Sequence, residues 1–96
     1  MCTYVTERID MSGSGKGKDG WFPVTRASVY VDHPVHAPQA HTLNLDFLNP
    51  GIGPSARVAL ELTEESGRAL IAAIEAALAS APPGIASADA ERPAGH

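Results

Sequence analysis

Apolar and polar positions alternate through most of the chain. Between Trp21 and Asp32, the apolar Ala27, Val29 and Val31 alternate with Arg26, Ser28, Tyr30 and Asp32. That is the two-residue period of a strand with one buried face. Leu43, Leu45 and Phe47 alternate with Thr42, Asn44 and Asp46 in the same way. Leu48 falls out of phase and marks a twist or bulge near the strand end. From Ala56 to Leu62, Val58, Leu60 and Leu62 oppose Arg57 and Glu61. Residues 2 to 11 make a first strand, with Val5, Ile9 and Met11 at odd positions beside Thr3, Tyr4 and Thr6, residue types that favour extended chain.

After Leu62 the period changes. Thr63 is a good N-cap, and Glu64 and Glu65 put negative charge in the first helical turn, where the helix dipole favours it. Leu70, Ile71, Ile74 and Leu78 form one apolar stripe among alanines. Pro82 and Pro83 end the helix. Between the first two strands, Ser12 to Gly20 reads as a flexible glycine-rich loop. It lacks the GxxxxGK[S/T] spacing of a phosphate loop and leads into a strand, not a helix. Asn49-Pro-Gly-Ile-Gly-Pro-Ser55 is dense in turn residues. The order β-β-β-β-α with short connections predicts an α+β domain: a four-stranded antiparallel meander sheet with one C-terminal helix packed on one face.

Of the 96 residues, 1–81 build this single domain. Residues 82–96, rich in Pro, Ala and Gly, read as a disordered tail with too little apolar content to offset the entropy of ordering. So small a core makes oligomerisation a common remedy, and a homo-oligomer is expected, most simply a two-fold dimer. The net charge of −4 argues against nucleic acid, whose phosphates call for a basic face. No apolar run reaches the length of a membrane span, and the N-terminus lacks signal-peptide regions. With a single cysteine there is no internal disulfide framework, and the expected location is cytoplasmic.

Strand pairing brings the candidate chemistry together. If the second and third strands fold about Ala37, partners are residues whose numbers sum to 74. Val31 then faces Leu43, Val29 faces Leu45, and His33 faces His41 at one rim, on the core side. His36 sits between them in a connection stiffened by Pro34 and Pro38. Cys2 would reach the same rim, although Val5 and Ile9 set its parity to the other face. His33, His36, His41 and Cys2 are therefore the candidate ligands of a transition metal: zinc, iron or copper. The H-x2-H-x4-H spacing is not an established ligand pattern, and the plain alternative is a cross-strand His33–His41 pair with His36 in solvent. With Met1 removed, Cys2 would present an amine beside its thiol; otherwise it is an ordinary strand-end cysteine.

The opposite sheet face collects Tyr4, Arg26, Tyr30, Asp32, Asn44, Asp46, Arg57 and Glu61. It reads as a self-association surface, a pocket wall or a wet outer face. Asp32 and Asp46 share that face but lie apart along the strands, so they do not form an acid–base pair. Trp21-Phe22-Pro23 reads as a core anchor or lid contact.

The Met-Cys-Thr start, the GSGKG stretch leading to WFP, and the DHPVHAP…HTLN-DF-NP segment resemble a group of small uncharacterised bacterial proteins over residues 1 to about 80. The resemblance implies no activity and no site residues. The leading functional reading is a small oligomeric domain that binds a metal ion or small ligand at the histidine rim. The alternatives are a non-catalytic accessory or assembly protein acting through the polar-aromatic sheet face, and a metal-dependent enzyme using the same rim.

Overall fold

The computed structural model describes residues 5–36 and 38–88. Cys2, Tyr4, Ala37 and residues 89–96, which carry several of the expectations above, lie outside the described residues. Strands β1 (Glu7–Gly17), β2 (Gly20–Asp32), β3 (Thr42–Leu48) and β4 (Arg57–Leu62) precede helix α1 (Glu64–Ser80). The strands form one sheet in the order β1-β2-β3-β4, each pair antiparallel. This is the expected α+β meander followed by one helix.

The alternation sets the β2–β3 register, with Val31 opposite Leu43 and Val29 opposite Leu45. On the other side of β3, Leu43, Leu45 and Phe47 face Leu62, Leu60 and Val58. The ladder continues without interruption to Leu48, opposite Arg57, so no bulge lies at Leu48. The irregularity is between β1 and β2, where the register shifts from the Asp10–Arg26 pair to the Gly13–Val24 pair. Met11 and Ser12 there oppose Thr25 alone, the two-against-one count of a β-bulge. The buried positions of β2 change phase at the same place, from Phe22 and Val24 to Ala27.

The glycine-rich segment is not a loop. β1 runs on through Ser12 to Gly17 and turns tightly at Lys18-Asp19. Gly20 takes φ +111° while no non-glycine residue among those described has positive φ, as in a type I turn completed by a glycine. Two of the segment's glycines, Gly15 and Gly17, are required by crowding. A Cβ at Gly15 would stand 2.9 Å from Val24 Cγ2 and 3.6 Å from both Phe22 and Val58. One at Gly17 would stand 3.2 Å from the Phe22 ring and 3.4 Å from the Arg57 carbonyl oxygen. The sheet therefore curls until β1 meets β4 at this end. Phe22, Val24 and Ala56 are buried inside the curl, with Met11, Phe47 and Val58 packed against them. Phe22 is the core anchor of the Trp21-Phe22-Pro23 stretch, and Trp21 is exposed.

At the helix start, Thr63 Oγ1 accepts the Ser66 amide at 3.1 Å, and Glu64 and Glu65 occupy the first turn. α1 meets the sheet through Gly67, its one buried residue, which abuts the Leu43 side chain of β3. The packing expected across one sheet face is confined to this end, and Leu70, Ile71, Ile74 and Leu78 remain exposed. Thr63 alone links β4 to α1, too short a connection for the helix to fold back along the strand, since such links commonly take two to six residues. Past the helix, the chain continues in short turns. The Ile85 amide donates to the Pro82 carbonyl and the Ser87 amide to the Gly84 carbonyl, so 82–88 form successive turns. No helix among the described residues is long and apolar enough to cross a membrane.

Candidate functional site

Asp32 and Thr42 close the β2–β3 ladder, and His33 and His41 stand on the next rung. Their rings face each other with centroids 4.4 Å apart and planes tilted by 36°. His33 Nδ1 lies 3.0 Å from the Ala40 carbonyl oxygen. A carbonyl can only accept, so Nδ1 carries the hydrogen, and in the neutral ring the lone pair is then on Nε2. A ring nitrogen tied to a backbone carbonyl is the usual support of a metal-ligating histidine. The His33 amide donates to Asp32 Oδ1 at 2.7 Å, which fixes the chain direction as it leaves β2.

The third histidine does not join the pair. Among the described residues, no three histidine, cysteine, aspartate or glutamate side chains group to hold a metal ion. The segment is tied down elsewhere, with the Val35 and His36 amides donating to Glu61 Oε2 and Oε1 at 2.5 and 2.9 Å. β3 lies between β2 and β4, so the β2–β3 connection must reach across β3 to touch Glu61. It does so on the polar face, where Thr42 and Asn44 are both buried and Thr42 Oγ1 donates to Asn44 Oδ1 at 2.7 Å. Glu61 thus clamps the connection that carries the histidines, a role that its place in an alternating strand does not reveal.

Further along the same face, Tyr30 donates its hydroxyl to Asp46 Oδ2 at 3.0 Å. Arg57 Nε and Nη2 both donate to Asp46 Oδ1, at 3.0 and 2.6 Å. Burial, then the hydrogen bond and the negative charge of Asp46, hold the Tyr30 hydroxyl above its ordinary pKa. Asp32 pairs with Thr42 and Asp46 with Ser28, so the two carboxylates stand on separate rungs, as the register requires.

A cleft of about 410 Å3 opens beside the imidazole pair, between the apolar side of the sheet and the first turns of α1. Val31, Leu43 and Ile71 give it apolar walls, while His41, Thr42, Glu64 and Arg68 supply polar groups. Arg68 Nε and Nη2 lie 3.1 and 3.0 Å from Glu64 Oε2. Apolar walls with a few convergent polar groups are the usual make-up of a small-molecule site. Arg68 and Gly67 enter it only because α1 starts directly after β4. A second trough of about 370 Å3 runs along β1, between Met11, Lys16 and the exposed Trp21.

The chain belongs to a family of unknown function, DUF6295, whose model matches residues 1–87. Comparison with curated proteins and with solved structures finds no match.

Proposed function

We propose that this DUF6295 member binds a transition-metal ion through the paired imidazoles of His33 and His41, at the mouth of a cleft that receives a small ligand. The observation that carries the reading is the facing pair itself, with His33 Nδ1 tied to the Ala40 carbonyl, which leaves Nε2 as the metal-binding nitrogen of the neutral ring. Imidazole donors suit zinc, copper and iron. Two of them leave coordination positions for water or for a chelating group on the ligand, and catalysis by a bound metal would use such an open position. His36 supports the site through its backbone bond to Glu61. Cys2, the other candidate ligand, lies outside the described residues.

Tag-free protein exposed to zinc, iron and copper in turn, then passed through gel filtration, should retain about one metal ion per chain. That is the stoichiometry of one ligand set per protomer. His33→Ala and His41→Ala should each abolish retention, and His36→Ala should leave most of it. Protein that emerges metal-free from all three exposures leaves the pair as a structural cross-strand contact.

A further inference from the structure

We propose that the exposed stripe of α1 and the apolar face of the sheet are covered by a second copy of this chain, each protomer's helix lying across its partner's sheet. Val31 and Leu60 lie on the same face as the buried Ala27 and Leu45, yet each is 39 % exposed, and Ile9 is 54 % exposed. The helix that could cover them meets the sheet at its first turns, where Gly67, its one buried residue, abuts Leu43. Its stripe continues from Gly67 through Ile71, Ile74 and Leu78 at helical spacing, and these three side chains are 51–65 % exposed. One chain therefore carries both halves of a hydrophobic core without joining them. Helices in proteins draw most of their stability from packing an apolar face, and most of this one's stripe is open.

Reciprocal exchange between two copies satisfies both halves at once, because an isologous interface presents helix to sheet twice. The area also suffices. Ile9, Val31 and Leu60 on the sheet and Leu70, Ile71, Ile74 and Leu78 on the helix are 39–65 % exposed, an apolar area on the order of several hundred Å2 per protomer that, with its polar rim, is on the scale of the ~800 Å2 per partner of a standard stable complex. The polar side of the sheet is the poorer candidate, since Tyr30, Asp46 and Arg57 bond to one another there and Glu61 holds the connection.

Sedimentation equilibrium of the full chain, with a chelator present so that His33 and His41 cannot bridge copies through a metal, should return twice the 10.0 kDa chain mass. Ile74→Glu and Leu60→Glu should each shift the mass to that of one chain while the circular dichroism spectrum is kept. In a mixture of isotopically labelled and unlabelled wild-type protein, filtered NOEs should join the Ile71 and Ile74 methyls of one protomer to the Val31 and Leu60 methyls of the other. This readout stands even if a glutamate variant fails to fold. A monomeric mass at submillimolar concentration overturns the proposal. So does a dimer indifferent to folded Ile74→Glu, or helix-to-sheet NOEs found only within one chain.

Discussion

Replacing Gly15 with alanine separates the strand seen here from the flexible loop that its composition suggests. In a mobile loop the substitution would be neutral, or would stabilise by about 0.4–1 kcal/mol by narrowing the unfolded ensemble. In the curled sheet the new methyl arrives 2.9 Å from Val24 Cγ2, with Phe22 and Val58 behind it. Carbon atoms prefer about 3.5–4.0 Å, and Val24 is buried, so neither group can simply step aside. Overpacking of this kind costs about 1–3 kcal/mol. After the chain-entropy gain, the net loss is about 0.5–2 kcal/mol, and for a domain of this size each kcal/mol moves Tm by about 4–8 °C. Gly15→Ala should therefore melt about 2–16 °C below wild type. Gly13→Ala is the internal control. A Cβ there meets nothing within 4 Å, so its Tm should hold or rise by a few degrees. Thermal melts followed by circular dichroism, at one protein concentration so that association does not intrude, would measure both. Equal shifts at the two positions would refute the packing argument.

Three further outcomes are expected. Tyr30 has a raised pKa in the fold, so above about pH 10 the unfolded chain releases that proton first, and the stability tied to Tyr30 is lost as pH rises through the folded value. The stability gap between wild type and Tyr30→Phe, from urea midpoints at mildly and strongly alkaline pH, should shrink as pH rises; a constant gap counts against the Asp46 bond as its source. Glu61→Ala removes the acceptor of the Val35 and His36 amides and should cost about 1 kcal/mol. The same change should speed hydrogen exchange at both amides, and unchanged exchange would mean that the clamp is not formed in solution. Deleting 84–96 should leave Tm within about 2 °C, the scale of surface changes, and a larger drop would show that this segment docks on the domain.

What could be read from the chain was whatever rests on local period. Val29, Val31, Leu43 and Leu45 alternate cleanly on both sides of a proline-bounded connection, so one register satisfies all of them, and His33 facing His41 follows from it. Thr63 and the two glutamates mark the helix start because capping is a local interaction. The errors lie where tertiary contact overrides local preference. Glycine disfavours strands, yet Gly15 and Gly17 sit in one because only a missing side chain lets β1 approach Phe22 and β4 so closely. The Met11-Ser12 bulge has no signature of its own, since its effect is to rephase β2 between Val24 and Ala27. Glu61 looked like one more outward charge, and its partners are amides more than twenty positions away.

The two sides of the sheet differ in character, and the difference bears on how the proposed ligand and partner would interact. On the polar side, Asp46 gathers Tyr30 and Arg57 while Glu61 gathers the β2–β3 connection. Those contacts hold the histidine rung in register from behind. On the apolar side, Val31 and Ile71 belong both to the cleft wall beside His41 and to the surface assigned to a second copy. A partner seated there roofs the cleft and removes water from the space in front of the imidazoles. Binding at the histidine pair and association of the two chains then share residues, so each must change the free energy of the other by the same amount. Its sign depends on whether the occupant fits under the roof. On those two proposals, a metal ion with a small chelating ligand would be sheltered and would tighten the dimer, whereas a ligand longer than the cleft would displace the partner's helix and loosen it.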